Sequence, residues 1–389
     1  MVYTLYTPGH GLVADSLVLH GILRILAWCG INRGKVSRFG EGFVIQLEDT
    51  ELNWGRDIID QMLEEFLISV EDYLNLRGRL NLRDRRKIIN ESNRLRKINY
   101  ANINKGALEK WLRDMLNSVK AFQGLQIYEK PDHRKRFERS RKRKDEGLAT
   151  LYLPLSAVYG KYVQEEKKVS EGYYKVCNTC FVTINIGLLF GTHIVWVNKG
   201  EKSNVYYTTF IPRESIDIND LLLLQRIGEG YYPVGNDSPQ TEISLVSVPL
   251  VALSQGETIA SVEDPYKIQI LTWSLQRAGN FQRSLGLLVI DYEPIYRFVA
   301  EVKLNIPTWP RFLDECLLRY EGGEAVLASL SETLLFRGDI YAVSRILSSH
   351  IMDILKKKDE YPRVGEICKI DADKIIRSLQ EIMGQTSVK

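Results

Sequence analysis

The chain has 389 residues, 44% of them hydrophobic and 26% charged, a globular composition that excludes wholesale disorder and leaves room for two domains. Five cysteines in this length do not make a secreted disulfide framework. The apolar run Leu12–Cys29 is broken by Asp15, His20 and Arg24 and is shorter than the roughly 20 apolar residues a bilayer span takes. With no signal-peptide pattern, the sequence predicts a soluble, cytoplasmic protein.

In chain order, the opening run Tyr3-Thr4-Leu5-Tyr6-Thr7 is strand-like and is followed by Pro8-Gly9-His10-Gly11. Asp15 is a candidate cap for a helix carrying Leu17, Leu19, Ile22, Leu23, Ile25 and Leu26 and closed by Gly30. That helix is apolar almost all round, which places it at the centre of a core. Val36–Phe39 and Phe43–Leu47, joined by Gly40-Glu41-Gly42, read as a hairpin. A helix over about 54–74 has Ile58, Met62, Phe66 and Val70 on one face and acidic residues on the other.

The formal net charge of +3 hides the main feature of the sequence. Between Arg77 and Lys144 stand 22 Lys+Arg against 7 Asp+Glu, whereas the rest of the chain holds 30 against 42. Such segregation points to a polyanionic partner more directly than the overall charge does. Within the segment, 82–100 reads as a helix that turns Arg83, Arg85, Arg86, Lys87, Arg94, Arg96 and Lys97 outward. A second helix, 105–123, buries Trp111 and its apolar neighbours. The run Arg134, Lys135, Arg136, Arg139, Arg141, Lys142, Arg143 and Lys144 carries eight bases and one acid, Glu138. With no face to bury, it reads as a loop or arm. Arginine forks fit phosphate oxygens, and each phosphate neutralised releases counterion, so this segment is the candidate nucleic-acid contact. A solvated surface face would intersperse both signs of charge.

From Leu148 to Leu253 the period changes, and 173–176, 180–186, 192–197, 205–211 and 243–251 read as strands of a largely antiparallel sheet that the N-terminal hairpin could join. The last third reads as helices over 307–320, 324–336, 339–358 and 371–383, separated by Gly322-Gly323, Gly338 and Pro362, as in an antiparallel bundle. The expected class is α+β: an N-terminal mixed part (1–265) with an antiparallel-rich sheet and a basic helical insertion at about 77–147, followed by a C-terminal helical bundle (266–389).

Smaller constellations carry weaker signals. Gln276, Asn280 and Arg283, around Phe281, could read base edges beside a stacking ring, although a polar turn is the plainer reading. Asn32-Arg33-Gly34-Lys35 and Arg38-Phe39-Gly40 match no phosphate-loop spacing and read as turns. Cys177-Asn178-Thr179-Cys180 is half a zinc motif without a second half at metal spacing. With strand-like flanks, its sulfurs would fall on opposite faces as two partly buried cysteines. His10, His20, His133, His193 and His350 form no ligand pair in sequence. The reading therefore contains no metal, no cofactor and no catalytic set.

The opening Tyr3–Gly9, the helix Asp15–Ala27 and the hairpin after it resemble the start of archaeal CRISPR-associated large subunits of type I-A interference (Cascade) complexes. That resemblance implies a non-catalytic subunit of an RNA-guided antiviral surveillance complex that helps recognise the motif flanking the target and hold the opened DNA. Base pairing with the guide would read the sequence. The implied partners are guide RNA, target DNA and the other complex subunits: backbone, handle-binding and small helical subunits and the helicase–nuclease. The run Arg134–Lys144 has no place in the family pattern. Two other readings stand beside this one: a metal-dependent nuclease with dispersed carboxylates, and a scaffold whose basic stretch binds acidic proteins.

Overall fold

The computed structural model describes residues 3–48, 124–131, 133, 148–151, 162–165, 168–171, 174–199, 202–227, 243–255, 262–278, 281–356 and 362–385. The three helices expected between 54 and 123, and the arm 134–144, lie outside these residues.

Strand β1 (Tyr3–Tyr6) leads through a glycine-rich loop into helix α1 (Leu12–Trp28). Every residue of α1 from Val13 to Leu26 except Arg24 is buried, so it is the central helix its composition predicts. Its N-cap is Gly11, not Asp15. Asp15 instead sits in the first turn, and its carboxylate accepts the backbone N–H groups of Gly9 and Gly11, both at 3.0 Å. The carboxylate thus folds the Pro8–Gly11 loop back over the helix start.

Strands β2 (Gly34–Phe39) and β3 (Gly42–Leu47) form the expected hairpin. Arg33, Lys35 and Gly40 are at its surface, but Arg38 is engaged with the carbonyl of Pro212 and the side chain of Gln269. The glycine-rich stretches here are turn chemistry. A 3₁₀ turn, Leu125–Glu129, packs on β1, and Tyr3 donates its phenol proton to Glu129.

Next come β4 (Leu148–Leu151), β5 (Tyr162–Glu165), β6 (Lys168–Glu171) and β7 (Tyr174–Cys177). The chain then enters helix α2 (Asn178–Phe190) where a strand over 180–186 was expected. It continues through β8 (His193–Lys199), β9 (Lys202–Pro212), β10 (Ile216–Asp217), α3 (Ile218–Ile227) and α4 (Val248–Gln255). The last of these replaces the strand expected over 243–251. Then follow β11 (Ile268–Ala278), β12 (Phe281–Asp291), α5 (Tyr292–Asn305), α6 (Trp309–Phe312), α7 (Gly323–Phe336), α8 (Ile340–Lys356) and α9 (Pro362–Gln385), with a π-helical turn at Leu313–Leu318.

All strand pairs are antiparallel. One sheet has the order β1-β3-β2-β10, and a second, separate sheet has the order β12-β11-β9-β8. The N-terminal hairpin therefore does not join the central sheet. Strands β11 and β12 follow residue 265 in the chain yet complete the sheet of β9, so the purely helical part begins at Tyr292. The fold is α+β, as the alternation of periods predicts.

Helices α1 and α2 cross at very close range because two glycines stand at the crossing. A Cβ on Gly187 would lie 1.8 Å from the Leu17 carbonyl oxygen, and one on Gly21 would lie 2.0 Å from that of Thr183. Only a hydrogen side chain permits that approach. Across α1 from this contact, the wholly buried His20 ring bonds the Phe210 carbonyl through Nε2 (2.6 Å), while Gln225 Nε2 donates to His20 Nδ1 (3.0 Å). This pattern fixes the neutral imidazole with its proton on Nε2. Burial, followed by the nearby Arg24 charge, lowers the His20 pKa to about 4.

In the C-terminal helices, Trp309 packs edge-on against Phe298 and stacks on Phe312. A disulfide, Cys316–Cys368, ties the π-helical turn to α9 across 52 residues of sequence, with both cysteines buried.

Candidate functional site

Of the residues expected to touch nucleic acid, those from Arg83 to Lys97 and from Arg134 to Lys144 lie outside the described residues, as does Asn280. Gln276 on β11 and Arg283 on β12 are register partners near the end of a hairpin, so the segment around Asn280 is the polar inter-strand turn that was the plainer reading.

The structure does show where the basic segment is rooted. The chain leaves the fold after β3, whose Leu47 pairs with Tyr3, and is back in it at the 3₁₀ turn against β1. It leaves again after His133 and re-enters at β4, where Leu148 is the register partner of Cys177. His133 Nε2 stands 3.5 Å from Cys177 Sγ. Both roots of the run Arg134–Lys144 therefore abut the same cysteine.

Around that cysteine is a cluster that the sequence did not reveal. Cys177 ends β7 and is the N-cap of α2, with its sulfur accepting the backbone N–H of Cys180 at 3.4 Å. The C-x-x-C thus lies at a helix N-terminus and not within a strand. One helical turn then brings both sulfurs to the same side instead of opposite faces. His133 Nε2 lies 3.4 Å from Cys180 Sγ, and the three donor atoms are all within 4.8 Å of one another. The wholly buried Tyr128 places its hydroxyl 3.1 Å from Thr183 Oγ1 and 3.6 Å from Cys180 Sγ. The rings of His133 and His10 meet edge to face at 6.4 Å.

The electrostatics of the two thiols diverge. The hydrogen bond from the Cys180 thiol, reinforced by His133 and the Cys180 amide, holds Cys177 down to about 5 against its burial. A helix N-terminus favours a thiolate in the same sense. Burial pushes Cys180 well up, and the charges of Cys177 and Asp15 add to that. Burial likewise raises Asp15 to about 6, against the lowering effect of the loop amides. His133 also lines an open pocket of about 260 Å³ with Gln126, Ile127, Glu129 and Lys130, so the cluster has a route to solvent. The missed signal was a single histidine, 44 residues before the first cysteine in the chain.

Comparison with known proteins decides the family. The family described as CRISPR-associated protein (Cas_Csa4) matches residues 3–358. The chain belongs to that family. A Thermoproteus tenax protein named CRISPR system associated protein Cas8 is 32% identical over 343 residues, covering 87% of this chain and 90% of the relative. The resemblance carried by Tyr3–Gly9 and Asp15–Ala27 thus led to the same CRISPR-associated class. Among the described residues, no helix is long and apolar enough to cross a membrane.

Proposed function

We propose that this Cas_Csa4 family member is the non-catalytic, nucleic-acid-binding large subunit of an RNA-guided CRISPR interference complex of type I-A. It would help recognise the motif beside the target and hold the opened DNA. The basic segment Arg77–Lys144 grips the phosphate backbone, and the acidic remainder meets the partner subunits, which read the guide and recruit the helicase–nuclease. The observation that carries this reading is the segregation of 22 bases against 7 acids into one segment. The arm Arg134–Lys144 is held at both roots against Cys177, so charge on it is presented from a fixed base. A phosphate-tracking arm anchored in this way supplies affinity, whereas base pairing with the guide supplies sequence.

The test is charge reversal of Arg134, Arg136, Arg141 and Arg143 to Glu, with duplex and single-stranded DNA affinity measured against salt. Affinity should fall, and the logarithmic salt slope on duplex should flatten by up to about 3–4 if all four touch phosphate. Unchanged affinity and slope would contradict the reading. Incubation of labelled DNA and RNA with Mg²⁺ or Mn²⁺ tests its non-catalytic part, since chelator-sensitive cleavage would favour the nuclease.

A further inference from the structure

Three donors from two distant stretches of chain converge on one point. Tetrahedral zinc bonds of about 2.3 Å to sulfur and about 2.0–2.1 Å to nitrogen place a sulfur and a nitrogen ligand about 3.5 Å apart. His133 Nε2 stands 3.5 Å from Cys177 Sγ and 3.4 Å from Cys180 Sγ. Thiolate and imidazole are the donor types that select zinc among common divalent ions. The surroundings favour a cation too: Asp15, whose carboxylate is wholly buried in its loop of amides, adds negative charge beside Cys180.

We propose that His133, Cys177 and Cys180 bind a zinc ion that clamps both roots of the basic arm to the N-terminus of α2. The nearby ring of His10 or a water molecule completes the coordination. Each cysteine binds as thiolate and releases its proton to solvent as the metal–sulfur bond forms, with no change of oxidation state. The competing use of a C-x-x-C at a helix N-terminus is a redox dithiol. That chemistry needs two sulfurs, and it gives no reason for one imidazole nitrogen to stand at ligand–ligand distance from both. The metal fixes His133, immediately before Arg134, and Cys177, the partner of Leu148. The arm is thereby a closed loop on a rigid base.

The full chain, free of affinity tag and purified under reducing conditions without chelator, should carry about one zinc per chain by elemental mass spectrometry. Reloaded with Co²⁺, it should show a thiolate-to-metal charge-transfer band and the visible bands of a tetrahedral site. Cys177→Ser and Cys180→Ser should lose the metal, His133→Ala should weaken it at least about tenfold, and Cys29→Ser should leave it unchanged. If the cysteine variants do not fold, the cobalt spectrum of the unaltered chain decides alone, since its charge-transfer band requires thiolate. A reduced chain that takes up no zinc, or a cobalt spectrum without that band, overturns the proposal. So does isolation of a Cys177–Cys180 disulfide in metal-replete buffer. None of these readouts depends on nucleic-acid binding.

Discussion

The arm-bearing body around Cys177 and the helices after Asp291 each contain a cysteine pair, and the two pairs are used in opposite ways. Cys316 and Cys368 are closed as a disulfide deep in an apolar bundle, whereas Cys177 and Cys180 remain thiols beside an imidazole and an open pocket. Charge divides along the same line. From Tyr292 to Lys389 there are 14 Lys+Arg against 15 Asp+Glu. Several pair locally along the helices, as Arg297–Glu293, Arg311–Glu315 and Lys356–Asp353 do. The segment rooted at Cys177 is one-sided. A region that only has to hold together cancels its charge and closes its sulfurs. A region that has to meet a polyanion leaves charge uncancelled and fixes its base by other means.

That contrast can be broken at graded cost. Cys316→Ala/Cys368→Ala removes a cross-link over 52 residues. In the chain-entropy account it should lower unfolding free energy by about 4 kcal/mol. Denaturant melts of the oxidised chain would show this, with nucleic-acid affinity per folded molecule unchanged.

A smaller effect comes from His20, held neutral with a pKa of about 4 against its ordinary 6.5. A depressed folded pKa means that the stability it contributes is whole above pH 6.5 and is lost as pH falls toward 4. Relative to His20→Gln, the parent chain should lose on the order of 2–3 kcal/mol across that window, read from melts at stepped pH.

Gly187→Ala forces a methyl against the Leu17 carbonyl at the α1–α2 crossing. It should cost about 1–3 kcal/mol. Because α2 carries Cys180, it should also weaken metal uptake, and a variant as stable as the parent would show that the helices can part without cost. Charge reversal of the four arm arginines should change stability least, within about 0.5 kcal/mol, while changing nucleic-acid binding most.

Much of this architecture was legible because pattern and tertiary role agree. Helix α1, the β2–β3 hairpin and the C-terminal helices follow their apolar spacing and their glycine and proline punctuation. The last helix begins earlier than predicted, because Pro362 serves as its first residue instead of as a separator. Helix α2 was misread for a physical reason: Val182, Thr183, Ile184 and Ile186 have strand propensity, and a helix buried on nearly all sides shows no amphipathic period. Helix α4, equally enclosed, misled in the same way. That error propagated to the site, because a strand would have turned the two sulfurs of the C-x-x-C apart. The third donor, His133, and the Cys316–Cys368 pairing depend on long-range contacts that no local spacing encodes. The basic segment was legible as chemistry from charge alone, and the structure added where its arm is anchored.

The central claim is that nucleic acid is met by the basic segment and not by the helices after Asp291. Photo-crosslinking the full chain to DNA and mapping the modified peptides by mass spectrometry tests it most directly. Crosslinks should concentrate between residues 77 and 147, with the arm 134–144 prominent and few sites beyond Tyr292. A map dominated by peptides from 292–385, with the basic segment unmodified, would contradict it.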